Sequence, residues 1–447
     1  MSCESVRRRL DDGWKDEVDN SAVTLTQSTA KRGYIPSGIA AAVVIASSAV
    51  VAALGILVTA GGRDQQLFHL PSVMYLREKA PNIDIVNMPT ATGPLYHLLV
   101  AAVSGPLHLG AVGTQIVGSF FAAALAALAV WHTRTVPHAY GRVLAAAPLL
   151  LSPYFWESSL WMLTDDAAIL FALAALITLM SGMTTRNQLT TGLLVAGAIA
   201  TRQNFVWLLA PACATYLYEL RFRPVSVRAA AIARVSAPGA ITLAVLVSLW
   251  KGLTPTWGKG NAATQSFTSV SFAFAVAAIF AIPILLATLT KPHVRGRIPV
   301  AVTVGMAAAI PAVIFTSSAT TQPDDSRRGG VIWSAVSVFP DVANRSPLLA
   351  ALAFVGGFAS TILYFMLTRR IAILLATSLM SVAIVTSAGA QLYQKYVELP
   401  IGILTLIALV YLFQSGRIVR KWPLLSLALF QATMTAGIVG LPILRAP

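Results

Sequence analysis

The chain has 447 residues, of which 56% are hydrophobic and 11% charged, whereas soluble domains carry roughly 25% charged residues. With apolar runs of bilayer-crossing length (roughly 20 residues) recurring throughout, this composition excludes a soluble globular protein and predicts an all-α polytopic membrane protein. The net charge of +15 is explained by Lys and Arg held on the cytosolic side, so no nucleic-acid partner is expected.

In chain order, residues 1–34 begin MSCESVRRRLDDGWKDEVDN, polar and mixed in charge. They read as a disordered cytosolic tail and not as a cleavable signal. Residues 35–447 read as a single transmembrane domain. Hydropathy marks about 13 spans, at 38–60, 110–132, 140–156, 164–182, 188–203, 204–221, 234–250, 268–289, 298–318, 347–367, 371–389, 398–414 and 423–443. Cys3 lies in the tail and Cys213 in a span, so no disulfide framework is expected.

The apolar run Thr92–Pro106 is short and bounded by Gly-Pro at both ends. Counting it as a span would reverse every later loop. With that run outside and the N-terminus inside, the inner loops are short and basic, holding Arg134, Arg142, Arg186, Arg221, Arg369 and Arg417 among others. Beyond the tail, Glu219 is the single acid inside. Asp64, Glu78, Asp84, Glu157, Asp165, Asp166, Asp324, Asp325, Asp341 and Glu398 all fall outside. The positive-inside bias concerns Lys and Arg and does not explain acids, so the outer face reads as the working face. Its long loops are about 61–109, 251–267 and 319–346.

Asp64 follows the first span. After it, Leu67, Leu70, Val73, Met74 and Ala80 recur at near-helical spacing, with Arg77, Glu78 and Lys79 on another side. This predicts a short interfacial helix. Asp64 is then either a solvated flank or a general base held at the membrane surface. Asp165 and Asp166 open the fourth span behind Thr164, as helix-start acids or as members of a polar cleft. Arg202-Gln203-Asn204 interrupts two apolar runs. It is a turn with Arg202 at the headgroups, or a phosphate- and sugar-binding element suited to the forked guanidinium. In Asp324-Asp325-Ser326-Arg327-Arg328-Gly329 the alternatives are a solvated loop and a patch whose Arg327 and Arg328 neutralise phosphate oxygens. Lys395-Tyr396-Val397-Glu398 opens a late span. There Lys395 either pairs with Glu398 or faces a phosphate.

His69 and His97 flank the first outer loop. Neither HExxH nor a cysteine cluster accompanies them, so a zinc site is not expected. Phosphate-loop and dinucleotide fingerprints are also missing from the sequence. Acids and cations on one membrane face, beside an interfacial helix, suit a substrate with an apolar tail, a phosphate at headgroup level and a polar group above it. A polyprenyl-phosphate sugar has that shape.

Several stretches resemble one family in order and spacing over residues 63–400. They are Leu67-Phe68-His69-Leu70-Pro71, Thr90-Ala91-Thr92-Gly93-Pro94-Leu95-Tyr96, Leu163-Thr164-Asp165, Arg202-Gln203-Asn204-Phe205-Val206-Trp207, Gly258-Lys259-Gly260-Asn261, Asp324 through Trp333, and Lys395-Tyr396 with Pro400. The sequence thereby resembles the dolichyl-phosphate-glucose α-1,2-glucosyltransferases, GT-C class membrane glycosyltransferases. Where that family has an acidic pair, this chain has Gln65-Gln66, with Asp64 one residue earlier.

The resemblance implies a GT-C-like bundle with juxtamembrane helices in the first outer loop. It implies an inverting hexosyltransferase, glucose being the first expectation, with a polyprenyl-phosphate sugar donor and a glycan or lipid-linked acceptor. The bilayer is the other partner. Its membrane is the plasma membrane in a bacterium and the endoplasmic reticulum in a eukaryote, with the active face extracytoplasmic. Asp64 is the expected base, with Asp165 as the alternative. Arg202, Arg327, Arg328 and Lys395 are expected to hold phosphate, with His69, Gln203 and Tyr396 beside the donor. The leaving phosphate already carries its charge, so no metal is obligatory, although a divalent ion is compatible with the chemistry. The competing expectations are a transporter or lipid flippase, and a non-catalytic membrane scaffold.

Overall fold

A computed structural model describes residues 27–255, 266–288, 295–316, 328–389 and 392–446. In chain order the α-helices are α1 Gln27–Ala53, α2 Ala60–Asp64, α3 Leu70–Lys79, α4 Leu95–Ser104, α5 Ala111–His132, α6 Ala139–Leu150, α7 Pro153–Leu160, α8 Asp165–Ser181, α9 Thr185–Thr201 and α10 Leu209–Glu219. They continue with α11 Val225–Trp250, α12 Thr268–Thr288, α13 Ile298–Ile314, α14 Val331–Val338, α15 Pro347–Phe365, α16 Arg369–Thr386, α17 Lys395–Gln414, α18 Trp422–Thr435 and α19 Leu441–Leu444. Two residues on each side, β1 Arg328–Gly329 and β2 Leu392–Tyr393, form a minimal parallel pairing. Two stretches are wound as π-helix, Gln65–His69 and Ala436–Gly440.

Among the described residues, 8 helices are long and apolar enough to cross a membrane, and up to 9 if α7 and α8, bent by 118°, count as one span. The chain is a multi-pass helical membrane protein. Helices lie in all the stretches that hydropathy marks, but length separates them. Helix α6 has 12 residues and reaches only about 18 Å at 1.5 Å per residue. It ends before Ser152, which caps α7 by accepting from the Tyr154 amide, with Pro153 in the first turn. The stretch 204–221 is divided between a 3-10 turn at Gln203–Leu208 and the 11 residues of α10.

The first predicted span runs to residue 60, yet α1 stops at Ala53. Gly55 takes φ +64, its amide donates to Ala52 O, and the Ile56 amide donates to Val51 O. This six-to-one and five-to-two pattern around a left-handed glycine ends a helix. At its other end α1 begins at Gln27, inside the stretch read as tail.

Helix α17 is the centre of the bundle, with 83% of its best apolar window buried, against 22% for α11. The outer helices turn large apolar side chains outward, such as Ile241, Val245 and Leu249 on α11, a face that only hydrocarbon suits. Close helix pairs meet over small residues. A Cβ at Gly356 of α15 would collide with the Phe274 carbonyl of α12, so any side chain there would force these helices apart. Small residues serve this purpose in membranes, where lipid removes the hydrophobic drive and close packing replaces it.

The two ends of the bundle differ in chemistry. At one end Arg370 pairs with Glu219 at 3.3 Å and donates to Leu179 O, while Arg234 donates to Gln188 and Arg417 to the Met366 carbonyl. The charge pattern assigns these basic residues to one side, and each has its own partner there. Asp165 opens α8 at the opposite end, roughly 25 Å away along a 17-residue helix.

Candidate functional site

The acidic end is assembled from several separate stretches. The first is α2 and its π-helical continuation. Thr59 caps α2 by accepting from the Gly62 amide, and the Glu157 carboxylate of α7 accepts from the Gly61 amide at 2.9 Å. A carboxylate at a helix start is stabilised by the free amides there. This small helix ends in Asp64. The predicted interfacial stripe divides in two. Val73 is buried while Leu67 and Met74 face outward, and Leu76, outside the stripe, is buried too. Helix α3 is therefore docked into the protein along one edge.

Asp64 Oδ2 lies 3.3 Å from Lys395 Nζ, with side-chain exposures of 36% and 13%. The alternative pairing of Lys395 with Glu398 does not form. Glu398 instead accepts from Ser152 Oγ and Gln394 Nε2. The Lys395 ammonium also lies over the rings of Tyr393 and Tyr396, at 5.6 and 5.7 Å.

The second ion pair is Arg202 Nη1 with Asp165 Oδ1 at 2.6 Å, both side chains buried. Arg202 Nη1 also donates to Thr164 Oγ1 at 3.3 Å, and its guanidinium lies 4.7 Å from the Tyr396 ring centre. The reading of Arg202 as a headgroup turn is thus replaced by a buried, stacked and paired guanidinium. Asp165 leaves Oδ2 buried without a hydrogen-bond partner. Thr164 makes no capping bond to α8. Asp166 turns the other way, accepting from Ser159 Oγ through Oδ2, so the two neighbouring acids have different surroundings.

Gln203 Nε2 donates to the Ala91 carbonyl at 3.3 Å, which ties the first loop to the α9 terminus. A Cβ at Gly93 in that loop would strike the Ala200 carbonyl. The loop and α9 can therefore meet only through glycine.

His69 Nδ1 and His97 Nε2 are 3.0 Å apart, with rings stacked at 5.2 Å. Tyr96 meets His97 edge-on. Burial, then the neighbouring His97, Lys395 and Arg202, hold His69 well below its ordinary value, and burial lowers His97 to about 4. The imidazoles are therefore neutral near pH 7, and one N–H bridges the pair.

Gln65 has a structural role. Gln65 Oε1 accepts from the Met162 amide at 2.9 Å, and its Nε2 donates to Gln115 Oε1 at 2.7 Å. Gln115 Nε2 then donates to the Leu160 carbonyl at 2.7 Å. These amides satisfy backbone groups bared where α7 breaks from α8. An ionised carboxylate at 65 has no hydrogen to give Gln115. Asp64 is thus the acid of this segment nearest a cation. Asp84 is engaged elsewhere. It accepts from Asn87 and then Tyr75, which hold it at about 2.

Arg327 lies outside the described residues, as do Gly258–Asn261 and Asp324–Asp325. The Arg328 backbone pairs with Leu392, three residues before Lys395. Among the described residues, no group of three or more His, Cys, Asp or Glu is disposed to hold a metal ion. Sequence reasoning placed Asp64, Asp165, His69, Arg202, Gln203, Lys395 and Tyr396 in one site, and the fold brings these seven together. It gave no part to Gln65, Gln115, Glu157 or Gln394. A glutamine inside the apolar run 110–132 was the available signal for Gln115. No protein-family model matches the chain, and no curated protein matches it either.

Proposed function

We propose that the chain is an inverting glycosyltransferase that moves a hexose, glucose by family resemblance, from a polyprenyl-phosphate donor to an acceptor hydroxyl. In this reading the protein is a GT-C-like bundle of about 13 membrane passes, the shorter helices included. Its N-terminus is cytosolic and its acidic end is extracytoplasmic. The observation that carries the reading is the Asp64–Lys395 pair, a carboxylate and an ammonium 331 positions apart in sequence and 3.3 Å apart in space. It sits beside a second cation, Arg202. An apolar groove of about 480 Å³ supports it further. The groove is lined by Val50, Val51, Trp156, Leu160, Val439 and Ile443. Trp156 and Leu160 flank Glu157, which holds the helix carrying Asp64.

In the reaction, the incoming lipid phosphate takes over the Lys395 ammonium, and Arg202 adds positive charge behind it. Asp64, released from Lys395, accepts the acceptor's hydroxyl proton. The hydroxyl oxygen bonds to the anomeric carbon as the bond from that carbon to the phosphate oxygen breaks. The bonding electrons leave with the lipid phosphate, whose growing charge the cations stabilise. One displacement inverts the anomeric centre.

A positioned base contributes about 10²- to 10⁴-fold. Asp64→Asn should therefore lower transfer at least about 100-fold. Asp64 is about a third exposed but Lys395 is largely buried, so losing the carboxylate should cost about 1–3 kcal/mol, and turnover is compared on folded protein. The test is radiolabelled polyprenyl-phosphate glucose in detergent with acceptor present. Full turnover in Asp64→Asn moves the base to Asp165. A donor left intact by the wild-type protein removes the transferase reading.

The broken α7–α8 element favours a second reading, a transporter or flippase. Discontinuous helices whose half-helix starts face a site are a transporter feature, and Asp165 stands at such a start. That reading expects the labelled donor to cross liposome membranes chemically unchanged.

A further inference from the structure

Gln394 directly precedes Lys395 and Tyr396. It is 2% exposed, and its amide groups are all engaged. Its backbone N–H donates to Gly329 O at 2.8 Å. Its Oε1 accepts from the Ile332 amide at 3.0 Å, and its Nε2 donates to Glu398 Oε2 at 2.7 Å. Glu398, one turn further along α17 and 3% exposed, is itself fixed by Ser152 Oγ on Oε1 at 2.8 Å. A backbone N–H only donates, so Ile332 compels the Gln394 amide to present its oxygen there and its nitrogen to Glu398.

Between these bonds Gly330 takes φ +129, and a Cβ at that position would collide with Gln394 Cβ. Residues 329–332 are therefore clamped to the start of α17. The parallel pairing of Arg328 with Leu392 continues that clamp.

We propose that Gln394 and Glu398 are positioning residues that clamp residues 329–332 to the start of α17 and thereby order the adjacent phosphate-binding Lys395 and Tyr396. The proposal rests on the lipid-phosphate reading above. A buried glutamate beside a glutamine one turn away is costly unless each bond is made, and here Ser152 and Gln394 make them.

The test exploits the direction of the bonds. Gln394→Glu sets two carboxylates against each other and removes the donor. The double variant Gln394→Glu/Glu398→Gln restores the pattern at unchanged net charge. In the double variant the new carboxylate at 394 accepts from Ile332 and from the new amide at 398, which accepts in turn from Ser152.

Two quantities are measured on full-length protein: affinity for polyprenyl phosphate without sugar, and hydrogen exchange at the Ile332 amide. Gln394→Glu should weaken binding about tenfold or more and speed Ile332 exchange. The double variant should recover both. Unchanged affinity in Gln394→Glu, or a double variant no better than the single one, overturns the proposal. Turnover of the labelled sugar donor by wild type is scored separately. Tight lipid-phosphate binding without transfer would remove the transferase reading and leave the clamp standing.

Discussion

The Arg202–Asp165 pair makes the sharpest stability prediction. At 2.6 Å and with side chains 10% and 6% exposed, the gross attraction at an effective dielectric of 20 is about 6 kcal/mol. Desolvation of the two ions takes back several kcal/mol each, so the intact pair contributes little net stability. Breaking it is different, because the surviving charge stays buried, and the expected cost is about 3–5 kcal/mol. Asp165→Asn belongs at the lower end, about 3 kcal/mol. Arg202 keeps Thr164 Oγ1 and the Tyr396 ring in that variant. Arg202→Leu belongs at the upper end, since it strands a carboxylate that already has one oxygen without a partner. The double replacement Arg202→Leu/Asp165→Asn should cost less than the sum of the singles by at least about 2 kcal/mol. Reversible unfolding in mixed micelles measures all four corners of the cycle. Additive singles, or Asp165→Asn within about 1 kcal/mol of wild type, would refute the account of a buried, interdependent pair.

Two further predictions concern the same end of the bundle. The histidine pair should make stability depend on pH. The folded values are depressed, to about 4 for His97 and well below the model-compound 6.5 for His69. The unfolded chain therefore takes up protons first as pH falls, and stability should drop progressively below about pH 6.5. Melting curves from pH 8 to pH 5 should show this slope in wild type and a shallower one in His69→Gln/His97→Gln; equal slopes would remove the assignment. Gly93→Ala should displace the first loop from the Ala200 carbonyl, costing about 1–3 kcal/mol as overpacking does. A melting temperature and transfer rate equal to wild type would mean the loop does not depend on that contact.

Much of this site was legible because its residues are expensive where they stand. Arg202, Asp165 and Lys395 interrupt apolar runs, and a charge near membrane depth needs a partner. Residue type therefore announced that partners exist. It did not announce which ones. Glu398 is one turn from Lys395 and was the local choice, yet tertiary folding gives Lys395 to Asp64 and leaves Glu398 to Ser152 and Gln394. The number of crossing helices was less legible. Hydropathy records how apolar a stretch is, whereas helix length is decided by ends such as Gly55 and Ser152-Pro153. The glutamines were the least visible, since an amide carries no charge to mark it and its role depends on backbone groups bared by a bend elsewhere.

The row of amides from Met162 through Gln65 and Gln115 to Leu160 has only one workable polarity. Turning either side chain over would face oxygen to oxygen or hydrogen to hydrogen at both of its ends. Nothing in that row gains or loses a proton between mildly acidic and mildly alkaline conditions. The spacing between the first loop and the broken span is therefore set by a ruler indifferent to acidity, while the imidazoles a few residues away respond to it.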